Sequence, residues 1–235
     1  METKELDAVY FVRDGENEEL RYSLRSVEKN LPCHKVWIIG GKPDDINPDE
    51  FVRIPQEKGN GTKWDRVQAN LRLVANHPGI TENFILMNDD FFINQPTTRI
   101  EPAIAGTLQE HIDRIEWKNH HAPTTYTIEL RRAQRVLEEA GLTTNSYELH
   151  IPMIINRKKL ADTLAAFPPR HATRSLYGNL NRIGGSKRAD CKVYDPDQEF
   201  DQNQQFISSD DKTWGDTALT HYIEQRFPEK SRWEK

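Results

Sequence analysis

The feature that most constrains the fold of this sequence is the alternation of short apolar runs with amphipathic stretches over its first ninety residues. The runs have the length of buried strands, and they lie at residues 7–12, 35–39, 51–54 and 83–87. Between them, residues 18–29 and 65–74 carry apolar side chains at helical spacing. Such alternation is typical of α/β proteins with a mostly parallel central sheet and helices on both of its faces.

This organisation predicts where a ligand would bind, because ligands of parallel sheets lie beyond the carboxyl ends of the strands. Asp14 comes shortly after the first predicted strand, and Asn88, Asp89 and Asp90 follow the fourth directly. We therefore expect these four side chains to meet at one edge of the sheet.

The second half of the sequence is less regular. Three stretches have helical spacing, at residues 126–140, 157–167 and 214–226. The second is expected to end at Pro168-Pro169, and the polar stretch 178–206 is expected to form a mobile loop. Since no repeat or change in composition divides the chain, we expect residues 1–235 to form one domain with an irregular carboxyl-terminal half.

Composition limits the classes of function. The formal net charge is −5 at pH 7, whereas proteins that bind nucleic acid usually present a net basic face. The sequence has neither a membrane-spanning apolar stretch nor an apolar run of signal-peptide type near Met1. Its two cysteines, Cys33 and Cys191, are expected to be free thiols. These observations predict a cytoplasmic protein with no integral membrane segment and no nucleic acid partner.

The strongest local signal is the apolar run that leads directly into Asn88, Asp89 and Asp90. Two carboxylates at the end of a buried strand are unfavourable unless positive charge compensates them. A divalent cation bound to a diphosphate would compensate them, because Mg²⁺ takes carboxylate and phosphate oxygens together. A turn that caps the next segment would explain the same residues.

Carboxylates follow an apolar pair a second time, where Phe206-Ile207 leads through two serines to Asp210 and Asp211. One metal site assembled from both acidic segments would explain the recurrence. Two solvated loops would explain it as well, so both interpretations stay open.

Basic side chains provide candidate partners for a phosphate group. Arg21 and Arg25 share a helical face near the start of the first predicted helix, which suits either a phosphate-bearing ligand or an ordinary ion pair with Glu18. His150 precedes an apolar segment with a proline, where it is either a general base or a structural histidine. Arg174 lies in a stretch that by itself indicates only a polar loop.

Several segments resemble signature regions of the Stealth family of sugar-phosphate transferases. Residues 17–29 read Asn-Glu-Glu-Leu-Arg-Tyr-Ser-Leu-Arg-Ser-Val-Glu-Lys and are similar to the start of its second signature, and Asn88-Asp89-Asp90 with its apolar flanks is similar to its acidic element. Further similarities lie at residues 7–15, 147–152 and 206–234. Their order and spacing cover nearly the whole chain, which therefore resembles a short, divergent member.

The resemblance implies a fold like that of the GT-A glycosyltransferases. It also implies transfer of a hexose or N-acetylhexosamine 1-phosphate from a nucleotide-sugar donor, a UDP-sugar, to a hydroxyl of a glycan or polysaccharide acceptor. The implied cofactor is Mg²⁺ or Mn²⁺. The implied ligands of that ion are Asp90 and Asp211, with Asp89 and Asp210 beside them.

The same resemblance implies that His150 is the catalytic base or a phosphate ligand. It implies that Arg174, Arg21 and Arg25 neutralise the diphosphate. Asp14, Asn88 and Asp89 are expected to contact the nucleotide sugar, and Arg174 and Asp90 to serve in catalysis with His150.

The sequence departs from the family before the acidic element. A glutamate of the family would fall near Asn70 or Leu71, so that carboxylate is missing here. The transferred group is therefore open. The alternatives are a glycosyltransferase that releases UDP and a non-catalytic module that binds a glycan or a nucleotide.

Overall fold

The computed structural model describes residues 1–54, 63–167 and 172–235. The proline pair 168–169 lies outside these residues. The strands are Asp7–Val12 (β1), Val36–Gly40 (β2), Glu50–Arg53 (β3), Asn83–Met87 (β4), Phe91–Ile93 (β5), Ala103–Ile104 (β6), Met153–Asn156 (β7), Ser186–Lys187 (β8) and Phe206–Ser208 (β9). The helices are Glu18–Asn30 (α1), Lys63–Asn76 (α2), Leu108–Lys118 (α3), Thr125–Glu139 (α4), Arg157–Ala166 (α5), Thr173–Leu180 (α6) and Ala218–Arg226 (α7). None of the described helices combines the length and apolarity that crossing a bilayer requires.

The central sheet has five strands in the order β3-β2-β1-β4-β7. The first four strands are parallel, and β7 pairs with β4 in the antiparallel direction. The mostly parallel α/β sheet expected from the sequence is therefore confirmed. From β1 the chain first builds the sheet toward β2 and β3 and then returns to add β4 on the other side, so the strand order switches between β1 and β4. Crevices that bind ligands open at such switch points.

Helices cover both faces of this sheet, as expected. Side chains of β1 alternate between the faces: Tyr10 packs in a core cluster with Leu24 of α1, and Val9 packs in another with Val74 of α2 and Leu160 of α5. All five of these side chains are buried. A strand with both faces buried reads as a continuous apolar run, which is why β1 was recognisable in the sequence.

The last helix begins later than the expected residue 214. Gly215 has a backbone φ of 133°, in the region that favours glycine and interrupts a helix. The side chain of Thr217 then accepts a hydrogen bond from the backbone N–H of Thr220 and caps α7, which starts at Ala218. The stretch expected to be a loop from residue 178 also contains the end of α6 and the short strand β8.

A buried ion pair holds the carboxyl-terminal segment against α1. Arg25 donates from Nε and Nη2 to the two oxygens of Glu234 at 2.7 and 2.8 Å, and Arg21 Nε lies 3.3 Å from the same carboxylate. The side chains of Arg25 and Glu234 are only 7% and 2% exposed. Arg25 also donates to the backbone carbonyls of Phe227 and Pro228. Both arginines thus pair with a residue more than 200 positions away rather than with Glu18.

This ion pair predicts a pH-dependent contribution to stability. Burial by itself would raise the pKa of Glu234, but the hydrogen bond and charge of Arg25 outweigh burial and lower that pKa to about 2. The stabilisation is therefore present above the ordinary glutamate pKa of about 4.5 and is lost as the pH falls toward 2. Glu234→Gln should lower the free energy of unfolding at neutral pH by about 3 kcal/mol, because it leaves a buried guanidinium unpaired.

Urea unfolding across the acidic range measures this effect. The difference between Glu234→Gln and the wild type should narrow as the pH falls. The exposed Glu229→Gln is the matched control and should unfold like the wild type. Equal stability of Glu234→Gln and the wild type at neutral pH would show that the pair contributes nothing.

Candidate active site

A cleft of about 470 Å³ opens at the switch point of the sheet, beyond the carboxyl ends of β1 and β4. Arg13, directly after β1, lines one side. Asn88, Asp89 and Asp90, directly after β4, line another. The expectation that the acidic element faces a ligand crevice at this edge agrees with the position of the cleft.

Pairing of β5 with β9 brings the two acidic segments together. Phe91 lies opposite Ser208 in this antiparallel pair, and the backbone N–H of Ser209 donates to the carbonyl of Asp90 at 3.2 Å. Asp210 follows immediately, and Asp211 lines the same cleft as Asp90. The recurrence of carboxylates after apolar residues therefore reflects two neighbouring strand ends.

One ammonium group compensates much of this negative charge. Lys192 Nζ lies 3.0 Å from Asp90 Oδ2 and 3.7 Å from Asp210 Oδ2. Its side chain is 13% exposed. Burial lowers the pKa of Lys192, but the charges of Asp90 and Asp210 raise it by more, so the group stays protonated. Lys192 could not be identified from the sequence, because its position depends on contacts between distant segments.

One oxygen of Asp90 has no hydrogen-bond partner in the described part of the chain. This Oδ1 is buried, whereas Oδ2 accepts from Lys192 and from the hydroxyl of Ser208. A buried carboxylate oxygen without a donor is unfavourable, and a divalent cation would satisfy it. Within the described residues no group of three or more His, Cys, Asp or Glu side chains is arranged to hold a metal ion. The fit to a cation therefore depends on Asp90 Oδ1.

Asp89 is tied to the start of α1. Its Oδ2 accepts a hydrogen bond of 2.6 Å from the amide of Asn17, whose own oxygen caps α1 by accepting from the N–H of Leu20. Burial raises the pKa of Asp89, and the hydrogen bond from Asn17 opposes that shift. The cap thus connects the amino-terminal end of α1 to the acidic element.

Glu19 is a further acidic group of the cleft that the sequence did not identify. It accepts a hydrogen bond from the hydroxyl of Ser209. Burial raises the pKa of Glu19 to about 7, and the carboxylates of Asp89, Asp90 and Asp211 contribute in the same direction. At neutral pH this side chain is therefore divided between its protonated and ionised forms.

His150 forms a hydrogen-bonded pair with Asp190. His150 Nδ1 lies 2.7 Å from Asp190 Oδ2, and the backbone N–H of His150 donates to Oδ1 at 3.0 Å. Burial raises the pKa of Asp190, but its contacts with His150 outweigh burial and hold that pKa well below the ordinary range. An ionised carboxylate only accepts, so Nδ1 carries the proton and Nε2 is left as an acceptor. Nε2 has no hydrogen-bond partner among the described residues.

Arg174 fixes the backbone on both sides of His150. Its terminal nitrogens donate to the carbonyls of Leu149 at 2.8 Å and Ile151 at 2.6 Å. Both of these neighbours have buried side chains. Arg174 Nε is buried and has no hydrogen-bond partner among the residues that the structure describes, and burial lowers the pKa of the guanidinium. Arg174 lines the cleft as expected, but its terminal donors orient the segment that carries His150.

A second, wider cleft of about 930 Å³ reaches the same histidine from another side. The two clefts share Asn88, Glu148, His150, Arg174 and Lys192. Asp190 and Tyr194 line only the second cleft, where the hydroxyl of Tyr194 donates to Asp190 at 3.0 Å. His150 therefore lines both clefts.

Three of the expected ligand-binding residues are not brought to either cleft. Arg21 and Arg25 are bound to Glu234. Asp14 accepts a hydrogen bond from the backbone N–H of Lys42 at 2.8 Å and is not among the residues that line the clefts. By contrast, Asn70, where the family resemblance would place a glutamate, does line the first cleft.

Neither a scan against protein-family models nor a search of curated proteins gives a match for this chain.

The raised pKa of Glu19 predicts how stability varies with pH. The folded state holds a proton up to about pH 7, whereas the unfolded chain releases it near 4.5. Wild-type stability should therefore fall between these values as the pH rises. Glutamine does not ionise, so Glu19→Gln should lack this loss of stability. The free energy of unfolding of Glu19→Gln minus that of the wild type should therefore increase by about 1 to 3 kcal/mol from about pH 5 to about pH 8.

Urea unfolding of both proteins at the two pH values tests this prediction. The exposed Glu16→Gln serves as the control and should keep the wild-type pH dependence. If Glu19→Gln also keeps the wild-type pH dependence, the buried proton is not on Glu19.

Proposed function

We propose that this protein transfers a hexose or N-acetylhexosamine 1-phosphate from a UDP-sugar to a carbohydrate hydroxyl, in a fold of GT-A type. The observation that carries the proposal is that His150, which is paired with Asp190, lines two clefts, one of which contains Asp90. A two-substrate transferase needs two sites that meet at a base. The resemblance of the acidic element and the segment at 17–29 to the Stealth family supports the same reaction.

The first cleft is the proposed donor site. It lies at the carboxyl ends of parallel strands, where nucleotides commonly bind. Arg13, Arg66 and Lys192 line it and offer positive charge to a diphosphate. Asn70 and Gln68 of α2 add amide groups that can hydrogen-bond to a sugar or base.

His150 is the proposed general base. The acceptor hydroxyl attacks the β-phosphorus, and Nε2 takes its proton as the new phosphorus–oxygen bond forms. The bond from that phosphorus to the bridging oxygen breaks, and UMP leaves with the bonding electron pair. Asp190 holds the ring in the required tautomer and stabilises the imidazolium. Arg174 keeps the ring in place through the carbonyls on either side.

Charge on the transferred phosphoryl group must be stabilised as the leaving group departs. Lys192 lines both clefts, so its ammonium lies where this charge develops. Asp90, through its unpartnered Oδ1, and Asp211 would hold Mg²⁺ or Mn²⁺. When bound, such an ion supplies further positive charge to the diphosphate.

A donor screen tests the proposal. UDP-glucose, UDP-galactose and UDP-N-acetylglucosamine are incubated with Mg²⁺ or Mn²⁺ and a panel of oligosaccharides, and UMP is separated from UDP by ion-exchange chromatography. We expect UMP, and we expect Asp90→Ala to abolish its release while the fold is retained. Asp216→Ala, which changes an aspartate that is 97% exposed, is the control.

The other outcomes of the screen distinguish the alternatives. Release of UDP would make the protein a glycosyltransferase, in which the acceptor attacks the sugar carbon. Donor binding without either product would identify a non-catalytic module. Full activity of Asp90→Ala would contradict the role of the acidic element.

Asp190→Asn tests the role of the base. Asparagine can donate to Nδ1 and so stabilise the wrong tautomer of His150, which should lower turnover about 100-fold or more. The KM for the donor should change little, because Asp190 does not line the donor cleft. Steady-state kinetics measures turnover and the KM for the donor, and the exposed Asp197→Asn serves as the control variant. Unchanged turnover would show that His150 does not act as the base.

A further inference from the structure

The second cleft has a charge pattern that the proposed reaction does not explain. Arg114 and Lys118 lie four residues apart on α3, and Arg188 follows β8 on the facing segment. All three side chains line the cleft and are exposed. None of them forms an ion pair with an acidic group of the described residues. The charged groups of Lys118 and Arg188 lie over the rings of Tyr194 and Phe206, at 5.8 and 5.9 Å from the ring centres.

The acidic residues of this cleft are mostly engaged elsewhere. Asp190 binds His150, Asp210 lies beside Lys192, and Glu148 accepts from the backbone and side chain of Ser175. Only Asp195 among the lining carboxylates is exposed without a basic partner in the described chain. The outer part of the cleft therefore offers three unpaired cations against one carboxylate.

Aromatic side chains accompany these cations. Tyr194 and Tyr126 line the cleft, and Tyr194 is 41% exposed. An exposed ring such as that of Tyr194 suits a ligand with a flat apolar side, such as a sugar ring.

We propose that the second cleft binds the acceptor and that this acceptor is an anionic saccharide, with carboxylate or phosphate groups held by Arg114, Lys118 and Arg188. The inference rests on the proposed function for its orientation toward His150. It adds a substrate class that the reaction alone does not require, since a neutral sugar also carries hydroxyl groups. The three cations lie on the outer part of the cleft, so the charged groups would belong to sugar residues beyond the reacting hydroxyl.

Binding of three matched oligosaccharides, measured by titration calorimetry at low ionic strength, tests the inference without any turnover. The probes are maltoheptaose, phosphorylated maltoheptaose and a heptamer of galacturonic acid. The wild type should bind at least one anionic probe about tenfold or more tightly than maltoheptaose. Preference for the phosphorylated probe assigns phosphate, and preference for the galacturonate probe assigns carboxylate.

Two charge-matched triple variants identify the site. Arg114→Gln/Lys118→Gln/Arg188→Gln should lose the preference for the anionic probe. Arg72→Gln/Lys158→Gln/Lys159→Gln removes the same charge from exposed positions that do not line either cleft and should keep it. Equal affinity of the wild type for neutral and anionic probes would overturn the inference. The inference would also be overturned if both variants lost the preference for the anionic probe to the same extent.

Failure of the proposed function would appear in a different measurement. Release of UMP from the donor is followed in the wild type and in the Arg72→Gln/Lys158→Gln/Lys159→Gln variant. Suppose that no donor is cleaved but the preference for anionic probes still depends on the three cations. The proposed binding site is then supported and the proposed transferase reaction is contradicted.

Discussion

The ammonium of Lys192 lies 3.0 Å from Asp90 at a point where segments far apart in sequence meet. Asp90 follows β4, Asp210 follows β9, and Glu19 belongs to the first turn of α1. A cluster of carboxylates on the edge of a buried sheet is stable only if cations, protons or hydrogen bonds reduce its charge. Here all three contribute. Lys192 pairs with Asp90, Glu19 is partly protonated near neutral pH, and Asn17 donates a hydrogen bond to Asp89.

The two clefts differ in how they are built. The first is lined by the ends of central strands and by α2, so its walls belong to the core of the sheet. The second is lined mainly by α3 and by residues 188–198, which lie outside the central sheet. His150 stands between them, and the guanidinium of Arg174 fixes the backbone on both of its sides. The geometry at His150 is therefore set by side-chain contacts rather than by strand pairing.

Much of the fold could be predicted from the sequence, because β1, β4 and α1 have clear apolar periodicity. The position of Asp90 followed from the same pattern, since polar residues directly after a buried strand lie at the edge of the sheet. Asp190 and Lys192 could not be predicted in this way. They lie in an irregular stretch, and their roles depend on contacts with His150 and Asp90 that no local pattern encodes. The sequence also could not show that Glu234 binds Arg25, because the partners are brought together only by the folded chain.

Separation of the clefts has a consequence for how such a protein can diversify. Substitutions around the first cleft disturb strand ends and the helices packed on them, so they carry a cost in folding. Substitutions at Arg114, Lys118 or Arg188 change exposed side chains on a helix and an irregular segment, where most replacements are nearly neutral for stability. The surface charge on that side can therefore change at little cost in stability while the His150–Asp190 pair keeps its geometry.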